Sequence, residues 1–472
     1  MELLFSFIYI LIVNLKRLHK YKKLISHSLL GGSVLRNISI VLFAAIFSAG
    51  LFASGFQINE HGSRAMSMGG AFTGLADDPS AVYFNSAGIT QLPGTNISLG
   101  ATLIFPTSTF TGPAPQKTSS SLEKQFFTPV NFYFTHQLNE KLFIGLGFNS
   151  PFGLGTKWDE NWVGRYNALE TEVRTFNLSP VIAYKVTDNF SASFGLTLSY
   201  ADVLITRKIA AVFTNPMNGT VIPLDDVHLK MTGDAITYGF NAGILYFPLK
   251  ELSIGASFKS QIRYEMEGDA ELTLPKIPST LSAYENLILG RMAVGYPHGP
   301  INAPLTVPIV FTTGVAYRSP EGHKIVADFQ FNAWESYDKL EIEFAEWKNP
   351  ENGSNVSSSN RKFKNSWIAR LGGEFQALEK FRLRGGVYYD KNPIRDERLD
   401  FTLPDADRIG MNIGAGFDVT DYITVDASYL YIYFYDREIN TSGEFIPISK
   451  VPLNGSYETG ANLFSLNLSF KL

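Results

Sequence analysis

Charged side chains recur on the polar faces of alternating segments in the second half of the chain. Arg370, Glu374, Arg384 and Asp426 each lie in a run in which apolar residues fall at alternate positions. A guanidinium group is well suited to bidentate contact with a carboxylate. We therefore predict that Arg384, and after it Arg370, binds a ligand carboxylate. The alternative is that these residues pair with one another, and a neutral ligand would need neither arginine.

Three apolar residues interrupt one of these polar faces. Leu430, Ile432 and Phe434 alternate with tyrosines that begin at Tyr429. The alternation that starts at Ile423 places the tyrosines outward, so the three apolar residues are predicted to line an apolar ligand pocket. The alternative is that they face lipid.

An aromatic segment follows a possible break in the backbone. Asn149, Ser150 and Pro151 are predicted to form a kink, because proline cannot donate a hydrogen bond to a neighbouring strand. The residues after the kink are predicted to form an exposed apolar patch that binds ligand, with packing on neighbouring loops as the alternative: Phe152, Leu154, Trp158 and Trp162.

Catalytic chemistry has little support in this sequence. The chain has no cysteine, so thiolate nucleophiles, thiolate metal sites and disulfides are excluded. No histidine is placed with a serine as a hydrolase would need. We therefore predict no enzyme activity, no metal site and no cofactor.

The elements that position these residues are predicted to be β-strands. At the end of the chain, Phe464, Leu466, Leu468 and Phe470 alternate with polar residues. The polar faces carry mainly Gly, Ser, Asn and Thr, whereas a soluble sandwich exposes many Lys and Glu residues. This difference favours an antiparallel transmembrane β-barrel with a crowded lumen over a soluble β-sandwich.

Composition supports a barrel that spans a membrane. Charged residues make up 18% of the chain and aromatic residues 14%, a balance typical of strands that face lipid. After residue 60, no stretch approaches the roughly 20 apolar residues of a spanning helix. The net charge of −4 and the lack of a basic stripe indicate that the chain binds no nucleic acid.

Short and long polar connections alternate along the chain, as in outer-membrane barrels. The connections predict about fourteen strands, an even number, and closure requires the last strand to pair with the first. The predicted strands lie near 95–106, 126–137, 141–152, 169–186, 190–209, 227–248, 252–274, 304–318, 324–346, 363–376, 381–390, 408–418, 422–435 and 457–472.

The N-terminal part of the chain divides into two segments before the barrel. Residues 1–53 carry basic residues, an apolar run and a small residue at Ala53, which predicts a secretory signal peptide, with an upstream extension from a misassigned start as one possibility. A retained inner-membrane anchor is the alternative. Residues 54–93 are predicted to plug the barrel formed by residues 94–472, because about fourteen strands enclose a lumen too wide for side chains alone. Asp78 and Pro79 are predicted to begin a short helix within the plug.

Several motifs recur in one order along the chain. They include Gly55, Phe56, Asn59, Gly69, Gly70, Asn85 and Ala87 in the plug, Asn149 to Leu154, and Leu383 to Asp390. In this order they resemble the FadL family of outer-membrane transporters of long-chain fatty acids and aromatic hydrocarbons. Ser86 departs from the proline that the family usually has there.

The resemblance implies a passive transporter in the outer membrane of a Gram-negative bacterium. Residues 54–93 would act as a hatch that shifts, Phe56 would contact the ligand, and the kink at Asn149–Pro151 would open the wall sideways. Expected partners are hydrophobic small molecules, chiefly long-chain fatty acids, together with outer-membrane lipid, lipopolysaccharide and the barrel assembly machinery, and the protein is expected to be a monomer. The alternatives are an aromatic hydrocarbon transporter of the same family, or a barrel for adhesion or secretion that transports nothing.

Overall fold

The computed structural model describes residues 55–113, 117–443, 445, 451–452 and 454–472. The predicted signal peptide, residues 1–53, lies outside the described residues. No helix within the described residues combines the length and the apolar character that crossing a membrane requires.

Fourteen antiparallel strands form the wall of a closed barrel. Three of them, β7, β8 and β9, are each interrupted once. The strands are β1 Thr95–Thr111, β2 Val130–Gln137, β3 Leu142–Asn149, β4 Glu170–Thr187, β5 Phe190–Ile209, β6 Val227–Leu249, β7 Leu252–Lys259 and Ile262–Thr273, β8 Gly299–Val307 and Val310–Arg318, β9 Lys324–Asn332 and Lys339–Phe344, β10 Ser366–Leu378, β11 Phe381–Asp390, β12 Arg408–Asp418, β13 Ile423–Phe434 and β14 Gly455–Lys471.

Shorter elements extend the wall or lie in the connections. Beyond the kink, Gly153–Lys157 continues β3 and pairs with β4. The other short strands are Ser119–Ser121, Val212–Thr214, Val221–Pro223, Val356–Asn360 and Arg437–Ile439. The helices are α1 Ser63–Ser67, α2 Ala81–Phe84 and α3 Glu285–Gly295, with 3-10 helices at Ser86–Gln91, Ser279–Tyr284, Trp334–Ser336 and Asp396–Arg398.

Closure of the barrel is continuous along the first and last strands. β1 pairs with β14 from Asn96↔Lys471 to Thr111↔Ser456. Since neither strand leaves an open edge, the backbone polar groups along this junction are paired, as a barrel in hydrocarbon requires. The predicted fourteen-strand antiparallel barrel is therefore confirmed.

The two faces of the strands differ as the alternation predicts. On β14, Phe464 and Leu466 are about half exposed on the outer face, whereas Ser465 and Asn467 are buried on the inner face. Lipid contacts the outer face, so apolar side chains are favoured there and small polar ones fill the interior.

Three strands that the sequence predicts as continuous are interrupted at similar positions in the wall. β7 breaks at Ser260 and Gln261, and β8 breaks at Pro308 and Ile309. Proline cannot donate to the strand ladder, which accounts for the break in β8. In β9 a 3-10 turn, Trp334–Ser336, separates the two strand segments.

Residues 55–94 pack against inward-facing residues from many of the strands. Ser63 N donates to Asn467 Oδ1 at 2.9 Å, and Phe72 N and Thr73 N donate to Asp328 Oδ2 at 2.9 and 2.8 Å. On the opposite wall, the Ser86 and Ser193 hydroxyls lie 2.7 Å apart. The wall thus supplies polar partners for the backbone of a segment that has little regular structure of its own.

The helix predicted after Asp78 is present but short. Asp78 Oδ1 accepts hydrogen bonds from Ser80 N and Oγ at 2.8 and 2.6 Å, and α2 ends at Phe84. The chain then forms a 3-10 helix, Ser86–Gln91, that the sequence did not predict. Ser86 begins this helix, and its side chain bonds to the wall.

Glycines on the inner wall allow the N-terminal segment to approach the backbone of β10 and β11. Gly372 and Gly386 pair with each other across these strands. A Cβ atom at Gly372 would lie 2.2 Å from the Met68 carbonyl oxygen, and one at Gly386 would lie 2.3 Å from Gly69 N. Gly69 has a φ of 72°, a conformation that glycine adopts at no steric cost. Backbone therefore packs on backbone here.

Replacing Gly386 with valine should displace the N-terminal segment, because the new side chain meets backbone atoms that cannot rotate away. We expect liposomes that contain the Gly386→Val protein to leak small sugars faster than liposomes that contain the wild-type protein, as measured by swelling assays. Gly385→Val is the matched control, since a Cβ at Gly385 meets nothing closer than 3.8 Å. Equal leakage from both variants would contradict this account.

Candidate functional site

A cluster of buried charges holds the N-terminal segment to the wall. The Glu374 carboxylate accepts from Arg64 Nε at 3.1 Å, Lys324 Nζ at 2.8 Å and Arg384 Nε at 2.6 Å. Arg64 also pairs with Asp77 at 2.8 Å. Burial alone would raise the pKa of Asp77, but the charges of Arg64 and Lys324 outweigh it and hold this pKa well below its usual range. One carboxylate therefore joins a residue of the segment to β9 and β11.

The two arginines predicted to bind a carboxylate occupy different surroundings. Arg384 is 1% exposed and lies between Glu374 and Asp426, with Nη1 2.6 Å from Asp426 Oδ1. Two protein carboxylates thus already bind Arg384, which favours the ion-pair alternative for it. Arg370 Nη2 donates to Asn59 Oδ1 at 3.1 Å and lines a small cavity beside the N-terminal segment.

A large cavity, the lumen cavity, lies above the N-terminal segment. Its empty space is about 1550 Å³, counting the part open to solvent. It brings together five of the residues predicted to bind ligand, namely Phe56, Phe152, Leu154, Ile432 and Phe434. Leu430 packs in the same buried cluster as Ile432 and Phe434, next to Met66. The inward orientation of these three residues is as predicted, and their contact with ligand remains a prediction.

The predicted kink in β3 is occupied by the start of the N-terminal segment. Ile58 N donates to Pro151 O at 2.9 Å, and Gly153 N donates to Phe56 O at 3.0 Å. These two bonds, with the bridge between Gln57 and Phe152, add a short strand to the inner side of the break. The segment therefore pairs backbone groups that the kink removes from the ladder.

The wall between β2 and β3 is incomplete above this kink. Their paired residues end at Phe132↔Phe148. The next contact above is a hydrogen bond from Gln125 Nε2 to Gly155 O at 3.0 Å. Between these contacts the lumen cavity is lined by Thr128, Pro129 and Ser150. The cavity thus reaches the wall at the break.

A second cavity, the outer cavity, lies between the upper wall and the long connections. Its empty space is about 940 Å³, counting the part open to solvent. Apolar residues form most of its wall, including Val173, Val203, Ile205, Met231, Met266, Ile301, Leu305, Tyr337, Ile342, Phe363 and Leu403. Its charged residues are Arg361, Arg398 and Asp400. These three residues were not predicted from the sequence, because they come from long connections whose paths the alternation does not determine.

Phe56 separates the two cavities, since its side chain lines both of them. Its ring packs edge-on against Trp334, Tyr337 and Phe152, with ring centroids 4.9, 6.0 and 6.0 Å away. The backbone of Phe56 is held at the β3 kink by Gly153 N, so one residue joins the kink to the ring that lies between the cavities.

The prediction that Phe152, Trp158 and Trp162 form an exposed patch is wrong. Phe152 is 7% exposed, Trp158 is 1% exposed and Trp162 is 4% exposed. The two tryptophan rings stack at 4.2 Å and pack on Phe401, and both indole N–H groups donate to backbone carbonyls at 3.1 and 2.9 Å. Burying two large rings whose N–H groups keep hydrogen-bond partners is more favourable than leaving the rings in water. These tryptophans therefore support the wall of the site, which agrees with the alternative that the segment packs on neighbouring loops.

The described residues contain no group of side chains suited to hold a metal ion.

Together, a closed barrel, a segment packed in its lumen and apolar cavities above that segment have the architecture of an outer-membrane transport channel. The model of the outer membrane protein transport protein family (OMPP1/FadL/TodX) matches residues 44–472, and the chain belongs to that family.

Relatives and solved structures agree with this assignment. The chain is 25% identical to a long-chain fatty acid transport protein of Escherichia coli over 83% of this chain and 90% of the relative. It is 23% identical to outer membrane protein P1 of Haemophilus influenzae over 92% and 99%. The fold matches a Pseudomonas aeruginosa FadL homologue with a TM-score of 0.75 at 19% identity, covering 89% and 100% of the two chains. It also matches the Ralstonia pickettii toluene transporter TbuX with a TM-score of 0.63 at 14% identity, covering 88% and 100%.

The family assignment confirms the resemblance predicted from the motifs. The protein is accordingly an outer-membrane transporter of hydrophobic compounds in a Gram-negative bacterium.

Asp405, in the connection before β12, gives the lumen cavity a group that titrates near neutrality. Burial raises the pKa of Asp405 to about 7; Arg408 opposes this and Asp390 adds to it. Below pH 7 the carboxyl group is therefore mostly neutral, and above pH 7 it is charged. A negatively charged ligand in this cavity should be repelled only in the second state.

Binding of dodecyl sulfonate, which stays ionised throughout, should therefore weaken as pH rises from 6 to 8. We expect a loss of up to about tenfold, on the scale of a charge pair in partly buried surroundings. In Asp405→Asn the affinity should stay near its low-pH value. Calorimetric titrations at several pH values would measure this, and an equal slope in the variant would refute the role of Asp405.

Proposed function

We propose that this protein imports long-chain fatty acids across the outer membrane by passive diffusion. The observation that carries this proposal is the composition of the outer cavity, which has apolar walls and two guanidinium groups. A long-chain fatty acid has a matching chemistry, since an apolar chain ends in a carboxylate.

The arginines of the outer cavity have capacity to bind such a carboxylate. Arg361 pairs with Asp400 through Nη1. Within the part of the chain that the structure describes, the Nε atoms of both Arg361 and Arg398 are buried and have no hydrogen-bond partner. Buried donors without partners are uncommon in proteins, and a ligand that accepts their hydrogen bonds would satisfy them. With Asp400 counted, the three groups carry a net positive charge.

The apolar walls supply the driving force for capture. Each buried CH₂ group contributes roughly 0.8 kcal/mol, so a long chain gains enough to leave the aqueous surface without ATP. A neutral aromatic hydrocarbon would gain from the walls but would leave the Nε atoms of Arg361 and Arg398 without an acceptor. The E. coli relative is named a long-chain fatty acid transport protein, which supports the same substrate class.

Passage onward requires the N-terminal segment to move. Phe56 and Leu154 line both the outer and the lumen cavity, so withdrawal of Phe56 would join the two. We propose that residues 55–93 act as a hatch in this way. The ligand would then leave through the wall at the Asn149–Pro151 kink, where the lumen cavity reaches the break between β2 and β3.

Uptake measurements test the proposed substrate. A deletion strain should take up labelled oleate more slowly than the parent strain, and the gene supplied on a plasmid should restore the rate. Labelled toluene and a small sugar serve as comparison solutes. Unchanged oleate uptake in the deletion strain would overturn the proposal, whereas a loss confined to toluene would favour a hydrocarbon substrate.

Replacing Arg398 with glutamine should weaken palmitate binding by about tenfold to a hundredfold, because a charge-assisted hydrogen bond contributes about 1.5–3 kcal/mol. Binding of 1-hexadecanol should change little. Arg395→Gln is the matched control, since this nearby arginine does not line the outer cavity and bonds to the Lys362 carbonyl at 2.9 Å. Displacement of a fluorescent fatty acid would give the affinities. Equal losses for the acid and the alcohol would show that Arg398 does not select the carboxylate.

A further inference from the structure

The wall contains another incomplete junction, between β6 and β7. Residues of these strands pair up to Asn241↔Lys259, and pairing resumes only at Asp234↔Glu267. Over the same stretch β6 stays paired with β5, from Ala235↔Ala201 to Phe240↔Leu196. Pairing is therefore lost on one side of β6 only. We name this junction, residues 235–240 of β6 and 260–266 of β7, the seam.

Two bonds close the lower end of the seam. Ser260 N donates to Phe240 O at 2.9 Å, and Phe240 N donates to Ser260 Oγ at 3.0 Å. Above them the outer face of β6 is open: Tyr238 is 83% exposed and Ile236 is 70% exposed, compared with 48% for Phe194 on β5. The higher exposure is expected where the neighbouring strand does not cover the side chains.

The height of the seam places it at the edge of the membrane. Phe240 lies roughly 20–25 Å above the periplasmic end of β6, estimated from about 3.3 Å per residue and a strand tilt near 40°. Lipid-facing bands of such barrels are about 25 Å tall. The outward residues change from apolar to charged at this level, since Arg263 and Glu265 are exposed and paired at 2.6 Å on β7. The seam thus opens toward the outer leaflet, where acyl chains meet head groups.

A third cavity lies behind the seam. Its empty space is about 580 Å³, counting the part open to solvent, and Phe240, Ser260 and Ile262 line it at the seam. Lys259 lines the same cavity, and its Nζ lies 3.4 Å from the centre of the Tyr83 ring. Among the described residues no carboxylate lies within 4 Å of this ammonium group, so its charge is not neutralised by an ion pair.

The cavity behind the seam also adjoins the proposed transport path. Gln57 and Phe152 line both this cavity and the lumen cavity. A ligand in the lumen cavity is thus separated from Lys259 by the same short strand that fills the β3 kink.

We propose that the seam is a second lateral port for fatty acids, with the carboxylate bound by Lys259 and the acyl chain lying through the seam into the outer leaflet. The cation lies inside and the apolar side chains lie outside, which matches the two ends of such a ligand. Backbone groups left without a strand partner in the membrane must border a ligand, water or protein, and an amphiphile in the seam would cover them. This inference rests on the proposed function.

Single cysteines test the opening, because the chain has no cysteine of its own. The Ser260→Cys protein in phosphatidylcholine nanodiscs should react with a maleimide attached to a hexadecyl chain, a reagent confined to the membrane. Ser257→Cys is the matched control, since Ser257 lies on the same strand in its paired part and is buried. Both cysteines should react after unfolding. Labelling of Ser260→Cys no faster than Ser257→Cys would overturn the port.

Protection from labelling tests the role of Lys259. Palmitate should slow the labelling of Ser260→Cys at concentrations at which 1-hexadecanol does not. Adding Lys259→Gln should raise the palmitate concentration needed by about tenfold, and adding Lys259→Arg should largely preserve protection. Equal protection with and without Lys259→Gln would exclude this lysine as the anion-binding residue.

The outcomes separate this proposal from the proposed function. If oleate uptake is normal but the maleimide does not react with Ser260→Cys, the port is overturned and fatty acid import still stands. Labelling and palmitate protection in a protein that does not restore oleate uptake would support the site and overturn the import function.

Discussion

The constraint on which this structure depends is that backbone polar groups in hydrocarbon must find partners. β1 and β14 satisfy it along their whole length, which closes the sheet. A closed barrel of fourteen strands encloses more space than its own side chains fill. The N-terminal segment occupies that space, and its irregular backbone must be paired in turn. This explains why Asn, Ser and Asp side chains on the inner wall bond to the backbone of the segment, and why Gly372 and Gly386 leave room for it.

The charged cluster around Glu374 attaches the segment in a way that apolar packing would not. Buried ion pairs contribute little net stability, because desolvation offsets their attraction. They do specify geometry, since each charge left without its partner is costly. A segment held by Arg64, Lys324 and Glu374 is thus placed accurately without being bound strongly. That combination fixes the position of this part of the segment relative to the wall.

The sequence predicted the wall better than the site. Alternation determines which face of β14 meets lipid, and the spacing of polar connections determines the number of strands. No sequence period determines the path of a long connection. Arg361, Arg398 and Asp400 come together only through the paths of two such connections. Alternation also did not predict the break in β7, because the apolar residues stay on even-numbered positions across Ser260 and Gln261, whereas in the structure these positions change from the outer to the inner face there. The alternating pattern gives the orientation of each segment but not its pairing with the next. Trp158 and Trp162 illustrate the same limit, since nothing local distinguishes a buried aromatic loop from an exposed one.

The exceptions to complete pairing are the features from which a route can be inferred. Pairing lapses between β2 and β3, between β6 and β7, and between β8 and β9, where it stops at Val310↔Asn332 and resumes at Asn302↔Glu343. A cavity reaches the wall at the first two places. Two of the residues that line more than one cavity are adjacent in the chain: Phe56 lines the outer and lumen cavities, and Gln57 lines the lumen cavity and that of Lys259. Both belong to the short strand held at the β3 kink by two backbone hydrogen bonds. The charged cluster around Glu374 holds Arg64 and not this strand. In the proposed mechanism, a local displacement of Phe56 and Gln57 would therefore leave the ion pairs intact, whereas release of the whole segment would open a nonselective pore.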